Sequence, residues 1–139
     1  MPHWLMKSEP DVFSWDALVK TGRKGEPWTG VRNFAARKHL QAMKKGEHAF
    51  FYHTGDEKQV VGIIEIIKEA YPDKTDEKGV FVCVDTRAVA PFAKPVTLAT
   101  IKADAKLKGM VLAREPRLSV QPVTAEEWKT ICRMGGVKG

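Results

Sequence analysis

Two apolar runs in the middle of the chain constrain it most. Ala49-Phe50-Phe51-Tyr52-His53 is followed by the polar turn Gly55-Asp56-Glu57-Lys58 and then by Val60-Val61-Gly62-Ile63-Ile64-Glu65-Ile66-Ile67. Aromatic and β-branched runs joined by a short glycine-containing turn read as a β-hairpin. The runs are nearly continuous rather than alternating. Both faces of these strands must therefore be covered, by flanking elements or by closure into a barrel. A chain of 139 residues can enclose such a core as one domain, 1–139, without disulfide or metal staples.

The flanking segments carry helix and loop signals. His3 to Lys7 reads as a first strand, ended at Ser8-Glu9-Pro10. Ser14 opens a short helix over Trp15–Val19 that stops at Gly22. Residues 21–30 contain Gly22, Gly25, Pro27 and Gly30 and form a loop longer than the usual connection, the kind that often carries function. Asn33 caps a helix from Phe34 to Met43, with Phe34, Ala36, Leu40 and Met43 as its apolar seam and Gly46 as its C-cap. Tyr71-Pro72-Asp73 breaks the second hairpin strand. Val80 to Val84 is a further strand extending towards Val89, and Pro91 and Pro95 mark a connection. Leu98–Lys102 spans one or two helical turns, Leu107–Leu112 is ambiguous, and Leu118–Val123 alternates as a last strand. Thr124-Ala125-Glu126-Glu127 is a capping box for a terminal helix reaching Met134 and ending at Gly135-Gly136. Helices around a block of strands predict an α+β fold with a small barrel or curled sheet.

Charge narrows the partners. Lys and Arg number 23 against 17 acidic residues, a net charge of +6, which favours anionic partners. The basic residues are scattered, with no run longer than a pair, so a polybasic tail or membrane anchor is not expected. Neither a signal-peptide core nor a stretch of 18 apolar residues occurs, and a cytoplasmic protein with no membrane contact is the expectation. Cys83 and Cys132 form no CxxC pattern and read as core cysteines. No metal-ligand spacing, cofactor signature or catalytic motif is present, so no catalytic residue, metal or cofactor is nominated.

Four segments hold residue types that packing alone does not require. They are Trp4-Leu5-Met6-Lys7-Ser8-Glu9-Pro10, Trp28-Thr29-Gly30-Val31-Arg32-Asn33, Phe50-Phe51-Tyr52-His53-Thr54-Gly55 and Arg117-Leu118-Ser119-Val120-Gln121-Pro122-Val123, with Tyr71-Pro72-Asp73 a weaker fifth. In this order they resemble the EVE domain family, a branch of the PUA-like superfamily, over nearly the whole chain. Thr54 departs from the serine of the family's pattern but keeps a hydroxyl, and the span from Pro72 to Val80 is short. The resemblance implies a PUA-like curled, mostly antiparallel β-barrel with flanking helices. It also implies kinship with readers of methylated adenine and modified cytosine, and a nucleic-acid-binding module that takes a modified base of DNA or RNA into an aromatic-lined pocket.

The residue chemistry is compatible with that expectation. A base reader needs an aromatic wall, a few donors and acceptors for the base edge, and cations for phosphate. Trp28, in a glycine- and proline-rich loop, is the expected wall; the bland alternative is a plug that holds the loop down. Asn33 offers donor and acceptor, though helix capping explains it fully. Lys7 and Arg32 can meet phosphate, and Ser8 stands with Lys7 at a strand end. Tyr52 and His53 lie on opposite faces of one strand, with His53 the better placed for a pocket. Pro72 and Asp73 are turn residues or pocket residues. Arg117 can pair with a carboxylate instead of a ligand, and the Ser119 hydroxyl wants a partner. Two rival functions remain open: an enzyme associated with RNA modification, which would turn over substrate, and a nucleoside or small-molecule sensor, whose binding would barely depend on salt.

Overall fold

The computed structural model describes residues 2–138. Six strands form one sheet: β1 (His3–Ser8), β2 (Glu26–Pro27), β3 (His48–His53), β4 (Gln59–Pro72), β5 (Val82–Thr97) and β6 (Val120–Val123). Their spatial order is β2-β5-β4-β3-β1-β6. The pairings are antiparallel except for β1 with β3, which run parallel with Met6 opposite Phe51 and Ser8 opposite His53. The expected hairpin is present as β3–β4.

The sheet is not closed into a barrel. Two-residue β2 and four-residue β6 are its edges. Helices meet the demand that the apolar runs make on both faces. On one face Trp4, Met6, Ala49, Phe51, Ile64 and Ile66 pack against Trp15 and Leu18 of α1 (Trp15–Lys20) and Ala36 and Leu40 of α2 (Phe34–Ala42). On the other, Leu5, Phe50, Tyr52 and Ile63 pack against Ile101 of α3 (Leu98–Ala103), Leu112 of α4 (Val111–Arg114) and Trp128 and Ile131 of α5 (Ala125–Gly135). Adjacent residues of one strand thus serve two cores, which is why the sequence does not alternate.

Local signals decide the helix starts. The side chains of Ser14, Asn33 and Thr97 accept from the N–H groups of Ala17, Ala36 and Thr100, and Thr124 with Glu127 makes the full capping box. Gly136 closes α5 in the left-handed conformation.

Four expectations are corrected. Tyr71-Pro72 does not break β4, which runs through Pro72. Pro91 and Pro95 lie inside β5 rather than in a connection. Beyond Thr86 and Asp85, where it meets β2, β5 has no partner on that side, so a missing N–H costs no ladder bond. The second helix ends at Ala42, with Met43 extended, and Gly46 instead donates its N–H to Ile66 in the turn beyond. Phe34 is not part of an apolar seam: it is 60% exposed, its ring 5.1 Å from that of Phe81 and beneath the Arg37 guanidinium.

Candidate functional site

The C-terminal end of β1 faces the loop that carries Trp28, and a cavity of about 550 Å³ lies between them. Lys7, Ser8, Trp28, Arg32 and Ser119 line it, so five of the eleven nominated residues meet at one place. Glu9, Val12, Phe13 and Glu26 line it as well, and the sequence reasoning did not nominate them. The signal that could have found Glu9 and Phe13 is their position just after the strand-ending Lys7-Ser8 pair.

Each wall is held by a specific contact. The Ser8 hydroxyl donates to the Phe13 carbonyl at 2.6 Å, and the N–H groups of Val12 and Phe13 donate to the Glu9 carbonyl. This folds the turn 9–13 back over the cavity and leaves Val12 83% exposed at its rim. Opposite, the Trp28 N–H donates to the Val84 carbonyl at 2.7 Å. The Trp28 ring stands edge-on to Phe13 and Phe51, with centroids 6.2 and 5.2 Å away. At 6% exposure it belongs to the core and lines the cavity at once, so plug and wall are two faces of one ring.

Asp73 holds the loop from beneath. It is 1% exposed and accepts from the Gly30 N–H at 2.9 Å, the Arg32 guanidinium at 3.1 Å, and both the N–H and hydroxyl of Thr75. Burial alone would push its carboxyl up. The Thr75 and Gly30 donors and Arg32 outweigh that and hold it at about 2. A depressed pKa stabilises the fold above the ordinary carboxylate range, and that contribution is lost as pH falls through about 2. Asp73→Ala is expected to cost about 2–4 kcal/mol, because it leaves Arg32 and the loop donors without their acceptor. Urea denaturation at pH 7 measures this, and the deficit should shrink in acid.

Lys7 is half-buried at the boundary of the cavity. Its ammonium donates to the Pro116 carbonyl at 2.9 Å and lies over the Tyr52 ring, and burial lowers its pKa.

The other nominated residues lie elsewhere. Tyr52 is buried under Lys7 on the opposite face of the sheet, and burial pushes its hydroxyl up to about 12. His53 is buried, with Nε2 accepting from the Trp15 N–H at 3.1 Å and Nδ1 2.8 Å from Glu57, so both ring nitrogens are engaged away from the cavity. Pro72 is an exposed strand-end residue. Asn33 caps α2 and, with Arg117, lines a separate concavity of about 300 Å³. Cys83 and Cys132 are buried and free. Among the described residues no three His, Cys, Asp or Glu side chains gather in a metal-binding group, and no helix is long and apolar enough to cross a membrane.

The EVE domain family profile matches residues 2–134. The chain is 37% identical over 158 aligned residues to thymocyte nuclear protein 1 of Homo sapiens, covering 91% of this chain and 70% of that protein. A solved protein from Rhodopseudomonas palustris is 57% identical, with a TM-score of 0.92 over 98% of this chain and 94% of that one. The human THYN1 protein, solved in complex with 5-methylcytosine-containing DNA, is 35% identical with a TM-score of 0.91 over the whole of both chains. An ASCH protein from Zymomonas mobilis, at 12% identity and a TM-score of 0.61, shares the fold alone.

Proposed function

The chain belongs to the EVE domain family, and from that premise we propose that it is a non-enzymatic reader of a modified base in DNA, with methylated cytosine the favoured class. The observation that carries this reading is the cavity between β1 and the Trp28 loop. Its volume falls within the range of about 300–1,000 Å³ usual for small-ligand sites, and it combines aromatic walls with a few convergent polar groups.

The base, turned out of its strand, stacks on the cavity face of Trp28, with Phe13 standing edge-on beside that ring. The Glu9 carboxylate lines the cavity and, through the oxygen that the Thr54 hydroxyl leaves free, is the acceptor suited to an exocyclic amine such as that of cytosine. Lys7 and the Ser119 hydroxyl serve ring and carbonyl acceptors. Val12 and Val31 supply the apolar surface against which a methyl group is distinguished from hydrogen. Arg32, fixed by Asp73 and Thr75, points a positive charge at the flanking phosphate. The DNA complex of the human relative supports the ligand class.

The test is a titration, followed by tryptophan fluorescence, with short strands and duplexes of DNA and RNA that carry 5-methylcytosine, 5-hydroxymethylcytosine or no modification. One methyl in an apolar site distinguishes ligands by about tenfold or more, so saturable binding with at least that preference for one modified DNA is expected. Equal affinity for modified and unmodified strands contradicts the reading.

A further inference from the structure

A second concavity, of about 280 Å³, opens on the far side of Lys7 from the base cavity. Tyr52, Leu98 and Leu112 give it an apolar floor, and Lys7, Lys58 and Lys102 stand around it. Lys58 comes from the turn between β3 and β4. Lys102 comes from α3, one helical turn beyond Leu98 and so on the same helix face. The two pieces are tied together, because the Leu98 N–H donates to the Lys58 carbonyl at 2.8 Å.

None of the three ammonium groups is neutralised in an ion pair. The ion pairs among the described residues are Arg32–Asp73 and Arg87–Glu65, and Glu57 is hydrogen-bonded to the His53 ring. Asp56 and Glu57 share an adjoining concavity with Lys58 and Lys102 but form no ion pair with them; Glu57 faces His53 and Gln59, and Glu9 turns to the base cavity and the Thr54 hydroxyl. Asp56 is exposed at the tip of the turn.

A second, independent observation falls on the same residue. Lys58 has φ +47°, the one non-glycine residue among those described with a positive φ. An L side chain there is strained, asparagine or glycine would be less so, and such strain gathers at ligand clamps.

We propose that the Lys7–Lys58–Lys102 cleft is a phosphodiester subsite that holds the backbone of the strand beside the extruded nucleotide. Lys7, shared by both concavities, links base and backbone. The proposal rests on the base-reading function.

The test compares the wild-type chain with a Lys58→Asn/Lys102→Gln double variant, and uses Lys129→Gln/Arg133→Gln on α5 as a control with the same charge change. Binding of a 5-methylcytosine DNA strand is measured against salt, and binding of free 5-methyl-2′-deoxycytidine is measured alongside. In the cleft variant the log–log salt slope should fall by about 1.4–1.8, two contacts at about 0.7–0.9 each, with affinity about tenfold weaker at physiological salt. Nucleoside affinity should stay unchanged, and Lys58→Asn alone should raise Tm by about 2–4 °C as the strain is relieved. An unchanged slope, or an equal fall in the α5 control, overturns the cleft. Strand binding that loses this slope in a protein that ignores the nucleoside overturns the base reading and leaves the cleft standing.

Discussion

Gly25→Ala is expected to cost about 3–5 kcal/mol and to remove the Trp28 loop from its seat. Gly25 has φ +69°, and a Cβ built there would lie 2.1 Å from the Thr86 carbonyl oxygen and 2.9 Å from Cδ1 of Ile67. The Ile67 side chain can move, but the carbonyl belongs to β5. To clear it, β2 must leave β5 at Glu26–Thr86 and Pro27–Asp85, and the Trp28 N–H must leave Val84. Gly22 is the control. It also has a positive φ, +58°, but nothing lies within 4 Å of its Cβ position, so Gly22→Ala should cost only about 1–2 kcal/mol. Urea unfolding of the two variants separates conformation from collision. Equal losses would show that the close approach to Thr86 does not hold the loop.

Trp28→Ala carries the second large effect, on stability and on binding together. Emptying a buried indole site costs about 3–5 kcal/mol. If the ring is the wall against which a base stacks, about 1–3 kcal/mol of binding goes with it, a loss of about 5- to 150-fold. Trp28→Phe separates the two roles. It keeps an aromatic face beside Phe13 and Phe51 and part of the packing, so it should stay folded and lose less affinity than alanine. A folded Trp28→Phe that binds no modified strand would assign recognition to the indole's shape or N–H rather than to stacking. A folded Trp28→Ala with unaltered affinity would remove Trp28 from the site.

How much of this was legible in the sequence follows from how far apart the interacting residues lie. Caps act over three residues, and Ser14, Asn33 and Thr124 read directly from the sequence. The hairpin read equally well, because its turn and its β-rich flanks are contiguous. The course of β5 did not. Whether Pro91 and Pro95 interrupt a strand depends on whether a neighbour needs their N–H, and the sheet's edge is a property of topology. Barrel closure was unreadable for the same reason: covering helices and closure leave the same apolar runs.

The site was legible as a set of segments and less so residue by residue. Strand alternation put Tyr52 and His53 on opposite faces but could not say that Trp15 and Glu57 already occupy the imidazole. Asp73 was named as a turn or pocket residue. Its grip on Gly30 and Arg32 spans more than 40 residues, and no periodicity encodes that. Glu9 was read only as part of a strand end and Phe13 drew no reading, because what brings them to the cavity is the Ser8 hydroxyl, which folds their turn onto it.

The measurement that bears most directly on the central claim is chemical-shift mapping of the 15N-labelled protein with a short DNA strand carrying one 5-methylcytosine. The account predicts saturable shifts in the amides of the non-proline residues of 7–13 and 26–32, in Ser119 and in the Trp28 indole N–H, with α5 and the Trp128 indole unmoved. Shifts confined to other surfaces, such as the Asn33–Arg117 concavity, with the Trp28 indole unchanged, would contradict it.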